Sequence, residues 1–154
     1  MIATPEIVDV PEQETAVIHL TIPREDIQRV MGPGIQELMD AVGAQGVGPT
    51  GAWFTHHLRM NPKTFDFEIG VPVSATVKPM GRVRPGKLPA AKVARSLHAG
   101  GYEGLGAAWG ELDAWVAAAG HTAAPDLWER YLVGPESGPD ASRYRTELNR
   151  PLSA

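Results

Sequence analysis

Residues 65–73 read Phe-Asp-Phe-Glu-Ile-Gly-Val-Pro-Val, and residues 144–152 read Tyr-Arg-Thr-Glu-Leu-Asn-Arg-Pro-Leu. Both stretches fit one pattern, aromatic-x-x-Glu-aliphatic-x-x-Pro-aliphatic, in which Glu68 corresponds to Glu147 and the prolines also align. Similarity between two distant parts of one chain indicates an internal repeat. The chain is therefore predicted to contain two copies of one structural module.

The segments ahead of these two stretches repeat the same order of elements. Apolar residues recur at helical spacing in residues 35–42 and again in residues 105–116. Alternating, strand-like runs precede them at residues 15–22 and 91–98. Each half of the chain is therefore predicted to read strand, helix, strand, strand.

This order predicts an α+β fold built by tandem duplication. We expect antiparallel sheets, two main helices and a cleft between two pseudo-two-fold repeats. The first repeat is predicted to span about 5–75 and the second about 80–152, within a single domain of residues 1–154.

Composition excludes several classes of protein. The chain has 154 residues, no Cys and a net charge of -4, so disulfide scaffolds, thiol catalysis and a generic nucleic-acid binder are not expected. No run approaches 18 apolar residues, and residues 1–10 have no basic segment of a signal peptide. We therefore expect a soluble, cytoplasmic protein that does not contact a membrane.

A basic connector, residues 78–95, joins the two predicted repeats. It carries six Lys or Arg residues and no acidic residue, which is one signature of a nucleic-acid interface. It contains no aromatic residue that could stack on a base, and Pro and Gly recur through it. We interpret it as a solvated crossover and expect no direct contact with nucleic acid.

Strand alternation places two glutamates on the faces away from the helices. Every second residue from Phe65 to Val73 is apolar, so that face must cover a helix and Glu68 lies on the opposite one. The repeat places Glu147 in the same way. The two carboxylates are candidates for a shared site.

The same alternation distributes the aromatic residues of the preceding strands. It assigns Trp53 to the face away from the core and places Trp128 with Arg130, while Glu129 and Tyr131 fall on the opposite side. If the non-core faces of the repeats meet, the tryptophans and the two strand glutamates line one pocket. Aromatic walls with carboxylates between them suit a flat, electron-poor or cationic molecule.

Simpler interpretations stay open for these residues. A glutamate on an alternating strand is most often a solvated residue, and Trp109 shares the helical phase of Leu105 and Leu112, which is typical of a core residue. His56 and His57 are adjacent on a strand, so their rings point to opposite faces and cannot chelate one metal. No metal or cofactor is predicted.

A recognisable set of residues lies in the second half. His98-Ala-Gly-Gly-Tyr102-Glu-Gly precedes a helix, Trp109 and Trp128 follow, and Thr-Glu147-Leu-Asn-Arg-Pro-Leu closes the chain. With these residues the chain resembles the GyrI-like small-molecule-binding domain family, from about Ile7 to Leu152. The same fold serves as the effector-binding domain of multidrug-sensing MerR-type and AraC-type regulators.

The resemblance implies a duplicated strand-helix-strand-strand fold with an aromatic ligand cleft between its repeats. The glutamate at the base of that cleft corresponds to Glu147, and the tyrosine of the turn corresponds to Tyr102. Many relatives carry Pro where this sequence has Gly101. The candidate ligand-binding residues are Trp53, Glu68, Tyr102, Trp109, Trp128 and Glu147.

The resemblance also implies which partners to expect. Short members include a gyrase-inhibiting, toxin-protective protein, so a protein partner such as gyrase stays open. Others look like hydrolases that open the strained ring of cyclopropane-bearing DNA-alkylating natural products. A helix-turn-helix of some 50–100 residues would not fit beside the matched domain, so we expect a sensor without a DNA-binding output.

Two functions follow from one site. In the first, the chain senses or sequesters an aromatic, cationic or xenobiotic small molecule, with Glu147 supplying charge and aromatic rings supplying stacking. In the second, it hydrolyses a strained-ring substrate, with Glu147 as general base and Tyr102 as hydrogen-bond donor to the developing oxyanion.

Overall fold

The computed structural model describes residues 2–60, 63–134 and 138–153. The two helices are α1 (Ile27–Gln45) and α2 (Leu105–Ala118), each preceded by a short 3-10 turn. The strands are β1 (Glu6–Val10), β2 (Gln13–Pro23), β3 (Phe54–Met60), β4 (Thr64–Pro72), β5 (Arg84–Leu88), β6 (Ala91–Ala99), β7 (Leu127–Val133) and β8 (Arg145–Pro151).

The chain forms two compact units. The first unit comprises residues 11–90, and the second comprises residues 91–154 together with residues 1–10. In the first unit the strands lie in the order β3-β4-β2-β5, all antiparallel, and α1 packs on them. In the second the order is β7-β8-β6-β1, again antiparallel, and α2 packs on β6. The predicted α+β class and the strand-helix-strand-strand order are confirmed in both units.

The registers of the two sheets are consistent with a duplication. In the first unit Glu68 lies opposite His56, and in the second Glu147 lies opposite Arg130. The pairing then shifts by one residue at the equivalent place, between His57 and Arg59 in β3 and between Tyr131 and Val133 in β7. A bulge re-aims the side chains that follow it.

Two edge strands, β1 and β5, each belong to the unit that chain order does not suggest. β1 lies at the start of the chain but pairs with β6 of the second unit, and β5 follows the first predicted repeat but pairs with β2 of the first. Neither pairing is signalled by the repeated sequence pattern. The single-domain span and the repeat boundaries stay predictions.

The alternation of β4 produces the core of the first unit. Phe67, Ile69 and Val71 are fully buried and pack against Leu38 and Val42 of α1. This is the apolar strand face that the sequence predicts. Burial of side chains of this size contributes about 1.5–3 kcal/mol each to stability. This strand face therefore stabilises the packing of α1 on the sheet.

The second unit is built in the same way with smaller residues. Leu112, Val116 and Ala108 of α2 are buried against Leu148 of β8 and Ala94 of β6. The helical phase predicted for residues 105–116 is therefore confirmed. Because Leu148 faces α2, its strand neighbours Glu147 and Asn149 lie on the opposite face of this sheet.

His57 of β3 is buried among the aromatic rings of β4. Its ring stacks on Phe67 with ring centres 5.2 Å apart and meets Phe65 edge-on, also at 5.2 Å. Burial lowers the pKa of His57 to about 4, and the neighbouring charges of His56 and Arg24 act in the same direction. The side chain is therefore an apolar, neutral core residue near pH 7.

Among the described residues, neither helix combines the length and the hydropathy that a membrane-spanning segment requires.

Candidate functional site

Glu147 lies on β8 among positively charged and amide groups. Its Oε1 accepts from Arg130 Nη1 at 3.0 Å and from Asn149 Nδ2 at 3.1 Å, and Arg95 Nε lies 3.4 Å away. Its side chain is 13% exposed. Two arginines therefore already compensate the charge of Glu147.

Trp128 shares the face of Glu147, as the alternation predicts. It lies opposite Asn149 in the register and is almost fully buried. Arg95 Nε also donates to Asn149 Oδ1 at 2.8 Å. On this face of the second sheet, two arginines therefore contact the Glu147 carboxylate, and Asn149 is hydrogen-bonded both to Glu147 and to Arg95.

Glu68 occupies the equivalent position of the first unit. It lies between His19 of β2 and His56 of β3 in the register, and His56 Nδ1 is 3.8 Å from its Oε1. On the same face, His19 Nε2 lies 2.6 Å from Asp66 Oδ1. Within the part of the chain that the structure describes, no group of three or more His, Asp or Glu side chains is arranged to hold a metal.

Trp53 does not share the face of Glu68. It precedes β3 and packs against the α1-side core of the first unit. The register makes Phe54 the counterpart of Trp128, since Phe54 lies opposite Gly70 and Trp128 lies opposite Asn149. The assignment of Trp53 to the face away from the core is therefore wrong, because an offset of one residue reverses the face of a strand.

A second carboxylate, Glu129, lies on the face of β7 that α2 covers. It is opposite Leu148 in the register and 7% exposed. Its Oε2 accepts from Trp109 Nε1 at 2.6 Å, and its Oε1 accepts from Tyr131 Oη at 2.5 Å. Both donors are neutral aromatic side chains, in contrast to the arginines around Glu147.

Two further aromatic rings, those of Tyr102 and Tyr144, extend this group of side chains. Tyr102, from the 3-10 turn before α2, meets Tyr131 edge-on with ring centres 5.8 Å apart. Tyr102 also lies 5.2 Å from the ring of Tyr144. We call the following set the Glu129 cluster: His98, Tyr102, Trp109, Glu129, Tyr131 and Tyr144.

Burial controls the charge of Glu129. It raises the pKa of the Glu129 carboxyl, and the hydrogen bonds from Tyr131 and Trp109 oppose the rise without cancelling it, as a protonated His98 also would. A carboxylate in this state is costly to ionise without a positive partner. None of the described arginine or lysine side chains forms an ion pair with it.

Sequence reasoning missed Glu129, although a signal was present. Alternation placed Glu129 on the core side of β7 with Tyr131, and an acidic residue at a core position is unusual. Of the predicted residues, Tyr102 and Trp109 belong to the Glu129 cluster. Trp128 and Glu147 lie together on the opposite face of the same sheet, and Trp53 and Glu68 belong to the first unit.

Trp109 is held from outside the cluster as well. The guanidinium carbon of Arg150 lies 5.8 Å from the centre of its ring. Arg150 is in turn bound by Asp113, with Nε to Oδ1 at 3.0 Å and Nη2 to Oδ2 at 3.2 Å. The indole that donates to Glu129 is thus fixed between a carboxylate and a cation.

The basic connector is largely neutralised by acidic residues. Arg82 donates to Glu37 at 2.7 Å, Lys87 lies 3.4 Å from Glu12, Lys92 lies 3.9 Å from Asp9, and Arg95 belongs to the Glu147 network. Four of its six basic residues therefore pair with carboxylates. The interpretation of this segment as a solvated crossover is nevertheless wrong, because it contains β5 and the first half of β6 and buries Val83 and Val93.

A surface groove of about 570 Å³ runs along α1 in the first unit. None of the predicted site residues lines it. Glu37, its main charged group, is already held by Arg82. Because none of the predicted site residues lines this groove, the Glu129 cluster remains the candidate site.

Comparisons with known proteins agree on the fold. The C-terminal domain of EcmrR matches with a TM-score of 0.86 at 23% identity, over 97% of each chain. In an EcmrR–DNA complex the match has a TM-score of 0.85, and this chain spans 57% of that protein. At these identities the likeness shows the fold alone.

Two other structures extend the comparison. A hydrolase from Listeria innocua matches with a TM-score of 0.64 at 13% identity, over 97% of this chain and 91% of that one. SAV2435 bound to tetraphenylphosphonium matches with a TM-score of 0.64 at 12% identity, over 99% and 95%. No curated protein sequence matches the chain.

The sequence pattern of one domain family matches residues 3–152, which is nearly the whole chain. This agrees with the resemblance carried by the turn at His98–Gly104 and by the closing strand. The chain belongs to the family of GyrI-like small-molecule-binding domains.

Proposed function

We propose that the chain senses or sequesters aromatic cations, and that the Glu129 cluster of the second unit holds them. The observation that carries the proposal is the contrast between two carboxylates on one sheet. Glu147 is compensated by Arg95 and Arg130, whereas Glu129 is more deeply buried and, among the described residues, accepts hydrogen bonds from the neutral side chains of Trp109 and Tyr131. A cationic ligand would supply the charge that Glu129 lacks.

The rings around Glu129 suit the body of such a ligand. Trp109 and Tyr131 donate to the Glu129 carboxylate, Tyr102 meets Tyr131 edge-on, and Tyr144 lies beside Tyr102. A cation over an aromatic face gains about 0.5–2 kcal/mol, and the gain is larger where water is excluded. Charge and stacking therefore act on the same molecule.

Access to Glu129 requires movement of the half-buried rings. Tyr131 is nearly fully buried, whereas Tyr102, Trp109 and Tyr144 keep part of their surface in solvent. Tyr102 sits in a three-residue turn rather than in α2 itself. We expect a ligand to displace Tyr102 and to take over the hydrogen bond of Trp109 with Glu129.

The family supports this class of ligand. The chain is a GyrI-like small-molecule-binding domain, and SAV2435, which shares its fold, has been seen bound to tetraphenylphosphonium. We expect no direct contact of this chain with nucleic acid, since its basic connector is engaged with carboxylates. A cytoplasmic location and a protein partner such as gyrase stay predictions, as do ligand contacts by Trp53, Glu68, Trp128 and Glu147.

Tryptophan fluorescence tests the proposed site. Tetraphenylphosphonium is expected to quench the wild-type chain with micromolar affinity, while neutral triphenylphosphine oxide is expected to bind at least about tenfold more weakly. Trp109→Phe should remove most of the quenching, because Trp109 contacts Glu129. The matched variant Trp128→Phe should keep it, because Trp128 lies on the opposite face of the sheet.

Two results would count against the proposal. Equal binding of the cation and the neutral oxide would remove the role of charge. Quenching that survives Trp109→Phe and disappears in Trp128→Phe would move the site to the face of Glu147.

Hydrolysis is the second candidate function, and one observation favours it. Burial raises the pKa of Glu129, which favours proton transfer by this carboxyl, and Tyr131 Oη is hydrogen-bonded to the same group. The original form of this hypothesis, with Glu147 as base and Tyr102 as donor, is less favoured because Arg130 and Asn149 occupy Glu147 Oε1. Mass spectrometry of a recovered strained-ring ligand separates the functions: a gain of one water indicates hydrolysis, and an unchanged mass indicates binding.

A further inference from the structure

His98 lies in the Glu129 cluster with one ring nitrogen engaged and the other free. Its Nε2 is 3.0 Å from the carbonyl oxygen of Gly101. A carbonyl can only accept, so Nε2 carries the proton. In the neutral ring Nδ1 is then a hydrogen-bond acceptor.

That acceptor is buried and has no donor. His98 is 6% exposed, and no group among the described residues lies within hydrogen-bonding distance of Nδ1. Gly104 packs closely on the ring, since a Cβ at that position would stand 2.8 Å from His98 Cε1. Buried polar atoms are nearly always satisfied, so an orphaned one marks a place for a missing partner.

A second orphaned atom lies beside it. Thr146 is fully buried, lies opposite both His98 and Tyr131 in the register, and its Oγ1 also lacks a partner among the described residues. Tyr131 Oη donates to Glu129. His98 of β6, Thr146 of β8 and Tyr131 of β7 therefore lie side by side on three neighbouring strands. The last of them contacts the Glu129 carboxylate.

We infer that the site prefers aromatic cations that carry an N–H donor over quaternary cations with the same ring system, and that His98 Nδ1 is the acceptor responsible. A protonated amine satisfies the charge of Glu129 and the lone pair of His98 together. A quaternary ammonium satisfies the charge and leaves Nδ1 buried without a donor. This inference rests on the proposed function.

The test uses two probes that differ in one group. N,N-dimethyl-1-naphthylmethylamine is protonated at pH 7.5, and its N,N,N-trimethylammonium analogue keeps the ring and the charge but has no N–H. Wild type is expected to bind the protonated amine about tenfold more tightly, since a hydrogen bond to a charged donor is gained and a buried acceptor is satisfied.

His98→Gln is the informative variant. A glutamine amide can still donate to the carbonyl of Gly101 but offers no acceptor at the place of Nδ1. The preference is expected to fall to about onefold, because the protonated amine no longer meets an acceptor there. Binding of the quaternary probe by the variant also shows that the variant folds. Thr146→Val, which removes the neighbouring hydroxyl, is the matched control and should keep the preference.

Each alternative outcome overturns the inference in a recognisable way. If neither probe binds wild type, the proposed function fails and the inference fails with it. If both bind wild type equally, the function stands and the inference fails. If the preference survives His98→Gln or is lost in Thr146→Val, His98 is not the acceptor that makes the distinction.

Discussion

Glu129→Gln is expected to weaken the binding of tetraphenylphosphonium by about 30- to 1000-fold. An ion pair in a partly desolvated site is worth about 2–4 kcal/mol, and each 1.4 kcal/mol corresponds to a factor of ten in affinity. The substitution keeps the shape of the side chain and an acceptor oxygen for Trp109 or Tyr131. Isothermal titration calorimetry of the variant and wild type at pH 8 measures the difference.

The stability of the same variant is expected to move the other way. Because burial raises the pKa of Glu129, the folded state holds its proton to a higher pH than the unfolded state does. At a pH above its raised pKa, Glu129 is ionised in the folded protein, and this buried charge lowers the free energy of unfolding. Removing the charge should leave the stability of Glu129→Gln at pH 8 equal to wild type or higher.

Glu147→Gln is the matched control and should give the opposite pattern. It leaves Arg95 and Arg130 without their carboxylate, so the free energy of unfolding should fall by about 1–3 kcal/mol. Ligand affinity should change by less than about threefold. Loss of binding in Glu147→Gln with normal binding in Glu129→Gln would contradict the assignment and favour the original prediction for Glu147.

Wild-type stability is expected to fall by about 3 kcal/mol between pH 6.5 and pH 4 through His57 alone. The pKa of His57 is lowered from 6.5 to about 4 in the folded state, so the unfolded state takes up a proton first as the pH falls. The full contribution of the neutral ring is present above pH 6.5. It is lost progressively down to about pH 4.

His57→Phe isolates this effect. The new ring can stack on Phe67 as His57 does, but it cannot be protonated. Urea unfolding from pH 8 to pH 4 should show the variant losing about 3 kcal/mol less stability than wild type over that interval. A stability difference between the two proteins that does not change with pH would show that His57 has an ordinary pKa.

The fold could be predicted because its cores follow local periodicity. Phe67, Ile69 and Val71 alternate on β4, and Leu112 and Val116 recur at helical spacing in α2. Both patterns can be read from neighbouring residues alone. The pairing of β1 with β6 could not be predicted, because a strand edge carries no residue that specifies a partner far away in the chain.

The site was harder to predict because it depends on register. Strand alternation assigned Trp53 to the face away from the core, but a one-residue offset places it in the helix-side core and gives its expected position to Phe54. Tyr102 and Trp109, which were named from the sequence, both belong to the Glu129 cluster, and their contact with a ligand stays a prediction.

The choice between the two glutamates depended on their neighbours across the strands. The arginines that neutralise Glu147 come from β6 and β7, and the donors to Glu129 come from α2 and β7. No sequence spacing distinguishes a compensated carboxylate from an uncompensated one. Only the acidic residue at a core position of β7 pointed to the second case.

The central claim is that Glu129 holds the positive charge of the ligand, and a crystal structure of the chain with tetraphenylphosphonium tests it most directly. The claim predicts the phosphorus atom within about 6 Å of the Glu129 carboxylate, with phenyl rings against Tyr102 and Trp109. A cation bound instead beside Glu147 and Trp128, with the Glu129 cluster unchanged, would contradict it.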